Sequence, residues 1–198
     1  TPSIARLVAT KLRNAPKPLK LFCAGSLYRY DEPQRGRFRE FWQANYELMG
    51  SSKPEADAEI LTVTDNLLHR LGLRNYWFKI GHMGVLRGIL GQEEVSEERQ
   101  NRILHLLDTK RWEEALRVIG ELGVSSRCVT TLKEIFETKG KNAPQILEKA
   151  KTCVRGYENA VDALENLREI LDLTSNSGAK FETLMEMGYA RGLEYYTG

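Results

Sequence analysis

Residues 26–43 constrain the fold more than any other part of this 198-residue sequence. The segment reads SLYRYDEPQRGRFREFWQ, with arginines on both sides of a centre that contains Pro33 and Gly36, two residues favoured in turns. Strands gain stability from aromatic and β-branched side chains and little from a row of cations. The pattern therefore predicts two strands, over about 19–49, joined by a charged turn. A polyanionic ligand would explain the arginines.

The second strand of this hairpin has two different faces, because successive side chains alternate. One face carries residue types that bind phosphates, bases or polar ligands: Arg37, Arg39, Phe41, Gln43, Asn45 and Glu47. The opposite face is more apolar and is expected to pack on the core: Phe38, Glu40, Trp42, Ala44, Tyr46 and Leu48. From Arg39 to Glu47 the strand extends roughly 26 Å, which suits a two-part ligand with phosphates at one end. An exposed strand with a solvated charged face explains the same pattern.

A second unusual segment is RGLEYYTG at 191–198. Its glycine, Gly192, permits close approach of the backbone to a ligand or another chain segment. Tyr195 and Tyr196 point to opposite faces of any strand, so at most one of them lines a given pocket. Taken alone, the segment also fits a half-buried edge strand.

These segments together resemble a known family. The hairpin is similar to motif 2 of class II aminoacyl-tRNA synthetases, and RGLEYYTG resembles the histidine-specific signature of histidyl-tRNA synthetases. TPSIAR at 1–6 is similar to the segment that follows motif 1 in that family, and GHMGVLRG at 81–88 to the segment that leads into its helical insertion. The matches follow the family's order. The hairpin implies the class, and the signature implies the amino acid.

The resemblance implies an ATP site that includes two catalytic arginines. Arg29 matches the arginine that holds the α-phosphate and the substrate carboxylate, and Arg191 matches one that lies against the α-phosphate during activation. Asp31 matches an acidic residue at the adenine amino group, Arg37 a contact to the outer phosphates, and Phe41 a ring that stacks on adenine. Two arginines on either side of the α-phosphorus would stabilise the charge of the transition state without proton transfer.

The resemblance also implies a histidine site beside the ATP site. Thr1 matches a threonine near the substrate's α-amino group, and Gln43 and Glu47 match polar residues that hold histidine. Tyr195 and Tyr196 match the pair around the imidazole. A selective imidazole pocket needs a polar partner for each ring nitrogen, which a carboxylate and a tyrosine hydroxyl can supply.

The implied function is histidine activation by ATP to histidyl-adenylate, followed by transfer to tRNA(His). The implied enzyme is a cytoplasmic ligase that uses ATP with Mg²⁺ and is a homodimer at full length. A second interpretation is a histidine-sensing regulatory subunit of ATP phosphoribosyltransferase, which shares the fold and charges no tRNA. Arg29, Asp31, Arg37 and Phe41 disfavour it, because a histidine sensor needs no ATP site. A third interpretation, another class II synthetase, is disfavoured by RGLEYYTG.

Two residues depart from the family pattern. Trp42 stands where many members have histidine, and Asn45 where many have glycine. Trp42 lies on the opposite face and is expected to change packing, whereas Asn45 lies between Gln43 and Glu47 and is expected to alter pocket shape.

Motif 1, motif 3 and the anticodon-binding domain of the family have no counterpart in the sequence. We therefore expect a fragment that by itself activates histidine weakly or not at all.

The predicted fold class is α+β: an antiparallel sheet flanked by helices, with an all-helical insertion. We expect a first part of the catalytic core at 1–84, the helical insertion at 85–171 and a returning strand at 172–198. Helices are predicted from Thr1 as N-cap to about 12, at 54–69, and at 85–90, 97–107, 112–122, 127–138, 143–151 and 157–171. Strands are predicted at 76–80 and 184–196. His82 stands at a strand-to-helix junction, where a structural hydrogen bond is favoured over catalysis.

Composition adds few constraints. The 29 basic and 27 acidic residues nearly cancel, so nucleic-acid contact must come from local patches. No apolar run approaches the ~20 residues of a membrane span, and no membrane partner is expected. Three widely spaced cysteines predict neither a disulfide framework nor a zinc site, which suits a reducing cytosol. The three histidines show no metal-ligand spacing, and no metal site is predicted.

Overall fold

The computed structural model of the chain describes residues 2–30, 32 and 34–189. Within this part of the chain there are eight helices and five strands. The helices are α1 Pro2–Thr10, α2 Pro54–Arg70, α3 Met83–Gln92, α4 Glu97–Asp108, α5 Trp112–Glu121, α6 Ser126–Glu137, α7 Ala143–Cys153 and α8 Glu158–Asn176. The strands are β1 Leu19–Tyr28, β2 Glu40–Met49, β3 Trp77–Ile80, β4 Lys139–Gly140 and β5 Glu182–Glu186. The predicted α+β class is confirmed.

Two strand predictions need correction. The two-residue strand β4 was not predicted, because so short a pairing leaves no periodic pattern in the sequence. The predicted strand at 184–196 is wrong over its described part: β5 ends at Glu186, and the chain turns at 187–188. Met187 there donates its backbone N–H to Thr138, and Gly188 packs so closely on α6 that an added Cβ would lie 2.9 Å from the Phe136 Cα.

The chain divides into two compact units, Thr1–Ala56 and Asp57–Gly198. The first unit contains α1 and the antiparallel ribbon of β1 and β2. In its described residues Glu47 is the one fully buried side chain, so this unit has no apolar core of its own. A two-stranded ribbon is marginally stable by itself. The three-part division into 1–84, 85–171 and 172–198 stays a prediction.

The second unit holds the apolar core. Its sheet has the order β3-β5-β4, with β3 parallel and β4 antiparallel to β5. Helices α3 to α8 bury their apolar faces together and against β5. Within these elements the largest fully buried side chains are Leu86, Ile89 and Leu90, Ile103 and Leu104, Ile119, Leu132 and Ile135, Leu167, and Met185; Tyr157 and Met187, outside the elements, are buried as fully. The periodic leucines and isoleucines that predicted helices therefore also form the core.

His82 caps the first helix of this core, in agreement with the predicted structural role. Its Nδ1 accepts the backbone N–H of Gly84, 3.0 Å away, at the N-terminus of α3. Its Nε2 lies 3.1 Å from Oδ1 of Asn166 on α8. Because Nδ1 is an acceptor, Nε2 carries the proton and donates to the amide oxygen. The imidazole therefore joins the start of α3 to the middle of α8.

Helices α3 and α8 approach closely because small residues line their contact. At Gly88 an added Cβ would lie 2.5 Å from the backbone nitrogen of Ala160, which is fully buried. At Gly84 it would lie 3.0 Å from the Cβ of Ala163. A backbone atom in a packed helix cannot move away as a flexible side chain does. Glycine at position 88 is therefore a steric requirement of this helix pair.

Gly88→Ala is expected to destabilise the protein by about 1–3 kcal/mol, because the new methyl group overpacks the α3–α8 contact. The matched control is Gly120→Ala in α5, where an added Cβ meets nothing within 4 Å. That control should stabilise by about 0.5–1 kcal/mol, the ordinary helix preference for alanine. Urea unfolding followed by circular dichroism measures both. Equal effects of the two substitutions would contradict the close-packing account.

Glu93, just after α3, joins three helices. One carboxylate oxygen accepts the backbone N–H of Ser125 at 2.8 Å, and the other accepts the hydroxyls of Ser125 at 2.7 Å and Tyr157 at 2.9 Å. Ser125 is the N-cap of α6, and Tyr157 directly precedes α8. Burial, reinforced by the bond to Glu93, raises the pKa of Tyr157 to about 12, so its hydroxyl remains a donor. Burial raises the pKa of Glu93, but the bonds from Ser125 and Tyr157 and the charge of Arg127 outweigh it and lower that pKa overall.

The lowered pKa of Glu93 predicts a pH-dependent contribution to stability. The carboxylate is favoured in the folded state, so its contribution is complete above the unfolded pKa of about 4.3. It is lost as the pH falls through the folded pKa. Glu93→Gln should reduce the free energy of unfolding by about 2 kcal/mol at pH 7, and the difference from wild type should shrink in acid. Urea unfolding at pH 7 and near pH 3 tests this.

The control for that experiment is Glu94→Gln, at the adjacent exposed position. It should change stability little at either pH, because exposed substitutions away from a network usually do. A Glu93→Gln variant whose deficit stays constant from pH 7 to pH 3 would refute the role assigned to the Glu93 charge.

Candidate functional site

The register of β1 with β2 decides which residues share a face of the hairpin. Leu27 lies opposite Phe41, Gly25 opposite Gln43, Cys23 opposite Asn45 and Leu21 opposite Glu47. Residues directly opposite each other in an antiparallel pair point to the same side of the sheet. Phe41, Gln43, Asn45 and Glu47 therefore form one row, and the small residues Gly25 and Cys23 lie beside its middle. We call this side of the hairpin the polar face.

Burial increases along the polar face. Arg29, one residue beyond β1, is exposed, whereas Phe41, Gln43 and Asn45 are partly buried. Glu47 is 6% exposed. Burying an ionised carboxylate is costly unless it is hydrogen-bonded, so a carboxylate at this depth needs polar partners. The face therefore presents a cation at its open end and an anion at its deep end.

The opposite face of the hairpin is exposed from Phe38 to Ala44 and partly buried at Tyr46 and Leu48, so the prediction that it packs on the core is wrong for most of its length. Trp42 is 81% exposed and Phe38 70% exposed, and on β1 Phe22 is 71% exposed. Alternation separates the two faces of a ribbon but does not say which one is the more buried. Here the face with the amides and the carboxylate is the more buried one.

Arg29 and Phe41 meet at the open end of the polar face. The guanidinium carbon of Arg29 lies 5.2 Å from the centroid of the Phe41 ring, a cation–π contact. The backbone N–H of Arg29 donates to the Arg39 carbonyl at 2.8 Å, so the hydrogen-bond ladder continues past the end of β1. An adenine ring on Phe41 would have to take its other side or displace the guanidinium.

Arg37 lies in the turn at the tip of the hairpin. Its N–H donates to the carbonyl of Gln34 at 2.8 Å, and the reciprocal bond measures 3.4 Å. Gly36 has a φ of +79°, which glycine adopts without strain. Arg39 places its guanidinium carbon 4.9 Å from the centroid of the Tyr30 ring. The tip therefore presents an exposed Arg37, while Arg39 is held against an aromatic side chain.

Two features at the deep end were missed in the sequence analysis. Asn45 donates from Nδ2 to Oε1 of Glu47 at 3.2 Å, so its amide contacts the carboxylate directly; its predicted effect on pocket shape stays a prediction. An added Cβ at Gly25 would meet nothing within 4 Å, so the space beside Gln43 is open. A glycine inside a strand opposite a polar residue is the sequence signal that indicates such a space.

The exposed face carries a separate polar cluster that was also not predicted. Ser26 and Tyr28 donate their hydroxyls to Oε1 of Glu40, at 2.6 Å and 2.8 Å. These bonds, that of Ser26 first, lower the pKa of Glu40. Tyr28 lies directly opposite Glu40 in the register, which explains the cluster. It lies on the side away from Gln43 and Glu47 and serves below as a control.

The family is decided by comparison with known proteins. The model of the family described as "Histidyl-tRNA synthetase" matches residues 1–198. The chain belongs to the histidyl-tRNA synthetase family. A relative described as a histidine–tRNA ligase, from Methanococcus vannielii, is 36% identical over 199 residues. The match covers 100% of this chain and 46% of that protein, so the chain spans about half the length of the relatives it matches.

Solved structures agree with the family. A structure from Bacillus halodurans C, described as an ATP phosphoribosyltransferase regulatory subunit/histidyl-tRNA synthetase, gives a TM-score of 0.82 at 26% identity. It is matched over 100% of this chain and 50% of its own. A histidyl-tRNA synthetase from Nostoc sp. PCC 7120 gives a TM-score of 0.76 at 18% identity, over 98% of this chain and 46% of its own, and supports the fold alone.

Five of the predicted site residues lie outside the described part of the structure: Thr1, Asp31, Arg191, Tyr195 and Tyr196. The predicted convergence of Arg29 with Arg191, and of Glu47 with Tyr196, lies outside it for the same reason. The structure does place Arg29, Phe41, Gln43 and Glu47 along one face and Arg37 at its tip. Their roles in this family stay predictions.

The chain is held by side-chain and backbone contacts up to Tyr189, the last described residue before the signature. The Lys79 ammonium on β3 pairs with the carboxylate of Glu186, the last residue of β5, and lies 4.7 Å from the centroid of the Tyr189 ring. Tyr189 donates its N–H to the Glu186 carbonyl at 3.0 Å. An added Cβ at Gly81 would lie 2.7 Å from that same carbonyl oxygen. The residues that lead into 191–198 are thus anchored to β3 and β5.

Metal, thiol and membrane features are limited. The described residues contain no group of three or more His, Cys, Asp or Glu side chains arranged to hold a metal ion. Cys23 is exposed, Cys128 buried and Cys153 partly buried, and all three are free thiols. Among the helices the structure describes, none is both long and apolar enough to cross a membrane.

Proposed function

We propose that the protein containing this chain activates L-histidine with ATP and transfers the histidyl group to tRNA(His). One observation carries the proposal: the polar face joins the exposed Arg29, in contact with the partly buried Phe41, to the buried carboxylate of Glu47. A nucleotide needs a cation and a stacking surface, and an imidazole N–H needs an acceptor. On the hairpin the cation and the stacking ring lie at one end of the polar face, and the acceptor lies at the other. The nucleotide and histidyl parts of an aminoacyl-adenylate would need them in that order. Membership of the histidyl-tRNA synthetase family supports the same conclusion.

In the proposed reaction a carboxylate oxygen of histidine attacks the α-phosphorus of ATP. The new acyl–phosphate bond forms as the bond to the β-phosphate oxygen breaks, and pyrophosphate leaves with its Mg²⁺. Arg29 would donate from its planar guanidinium to the α-phosphate and the carboxylate, with Arg191 on the other side. Positioned cations stabilise the charge that develops at phosphorus. The substrate supplies the nucleophile, so no residue of the chain needs to accept a proton in this step.

Two further residues would hold the rest of the nucleotide. Arg37, exposed at the tip turn, would contact the outer phosphates, and Asp31 would accept from the adenine amino group. Mg²⁺ would enter with the ATP substrate, where it would neutralise part of the phosphate charge. The contact between Arg29 and Phe41 supports a nucleotide site at this end, because stacking and charge are offered together.

The histidine end would work through hydrogen bonds. Glu47 would accept the imidazole N–H, and Gln43, beside the open space at Gly25, would contact the polar atoms of the same substrate. Thr1 would meet the α-amino group, and Tyr195 and Tyr196 would enclose the ring. A site that bonds a substrate N–H rejects analogues that lack it, because its own buried group is left unpaired. A buried carboxylate is thus a source of selectivity as well as of affinity.

The two ends of the face should respond separately to mutation in the full-length protein. Phe41→Leu should raise KM for ATP about tenfold, because a stacking surface is lost, and leave KM for histidine within about twofold. Glu47→Gln should do the reverse, raising KM for histidine at least about tenfold. Histidine-dependent exchange of pyrophosphate into ATP measures both constants. Equal effects of each substitution on both constants would contradict the division of the face.

A regulatory protein is the second candidate, because the Bacillus halodurans structure is described as either a regulatory subunit or a synthetase. Calorimetry with the full-length protein separates the two. We expect histidine and ATP both to bind and histidyl-adenylate to form. Binding of histidine without ATP, and without adenylate, would establish the regulator instead.

The remaining expectations concern the whole protein. We propose that it is a cytoplasmic homodimer and that tRNA(His) is its partner in the second step. The 198-residue chain alone is expected to show weak or absent activation. Pyrophosphate exchange by this chain at the rate of the full-length protein would refute that expectation.

A further inference from the structure

The amide of Asn45 has a defined orientation. Its Nδ2 lies 3.2 Å from Oε1 of Glu47, two residues further along the same strand and on the same face. An ionised carboxylate only accepts hydrogen bonds, so the NH₂ group of the amide must face it. The amide oxygen of Asn45 is then directed away from Glu47. The Asn45 side chain is therefore hydrogen-bonded to the buried carboxylate through its NH₂ group.

Resting on the proposed function, we propose that Asn45 is a positioning residue that sets the selectivity of this site for a ligand with a ring N–H. The bond along the strand restrains the Glu47 side chain before a ligand arrives. A restrained acceptor loses less freedom on binding and accepts from a narrower range of directions. A ligand that donates to Glu47 benefits from this restraint, and a ligand of the same shape without the donor does not.

The surroundings give Asn45 room to act in this way. Across the ribbon it faces Cys23, and the next pair on the same side is Gly25 with Gln43. Both residues on β1 are small, and the position above Gly25 is open. Along the row Asn45 lies between Gln43 and Glu47, and its amide is one of the polar contacts of the carboxylate.

The test compares three proteins at full length. Asn45→Gly removes the hydrogen bond to Glu47. Asn45→Asp keeps the shape of the side chain but replaces the donor with a second carboxylate. The control is Ser26→Ala, which also removes a hydrogen bond to a glutamate, Glu40, but on the exposed face of the same hairpin. Each protein is titrated by calorimetry with L-histidine and with 4-thiazolylalanine, in which sulfur replaces the ring N–H. Pyrophosphate exchange then gives kcat and both KM values.

We expect Asn45→Gly to weaken histidine binding about tenfold while binding of 4-thiazolylalanine changes less than twofold. Asn45→Asp should weaken histidine binding by at least as much, because the lost donor is replaced by a like charge beside Glu47. The KM for ATP should stay within about twofold of wild type in both variants. Ser26→Ala should match wild type for both ligands.

The possible results are distinct. Equal weakening of both ligands by Asn45→Gly would mean a general structural role and would overturn the inference. Histidine binding by Asn45→Gly equal to that of wild type would also overturn it, with the proposed function intact. A wild-type protein that binds no histidine would overturn both. Weaker binding of histidine but not of 4-thiazolylalanine by Asn45→Gly, with no such change in Ser26→Ala, would establish Asn45 as a positioning residue.

Discussion

The antiparallel register between β1 and β2 is the constraint on which the candidate site depends. It places Gln43 beside Gly25 and Glu47 beside Leu21, and the contact of Arg29 with Phe41 follows at the open end. A slip of one residue would turn the amides and the carboxylate to the other side of the ribbon. Because the ribbon lacks an apolar core of its own, its register depends largely on the backbone hydrogen bonds between β1 and β2 and on side-chain contacts across the two strands.

In the second unit, helices α3 to α8 pack together around one apolar core. Close approach of α3 and α8 requires Gly88, and helix ends are joined by polar side chains such as His82 and Glu93. Each of these polar groups satisfies backbone donors that a helix terminus leaves unpaired. The same unit anchors Tyr189 through Lys79 and Glu186.

Much of the fold was predictable because it depends on local periodicity. The hairpin strands and the helix starting at Pro54 follow from alternation, from helical spacing of apolar residues and from proline at a helix start. The turn at 187–188 was not predictable, because it depends on the contact of Gly188 with Phe136 from a distant helix. At the site, alternation correctly grouped Phe41, Gln43, Asn45 and Glu47. It could not show that Trp42 would be exposed, since both faces of a ribbon alternate equally well.

The sequence by itself determined the family, the fold class and the grouping of the polar residues on one strand face, because these depend on residue types and their spacing. Only the tertiary structure decided that this face is the more buried one, that Arg29 lies against Phe41, and that the Asn45 amide contacts Glu47. Those facts depend on register, on side-chain direction and on the burial of each residue. They arise from contacts between residues that no local pattern relates to one another.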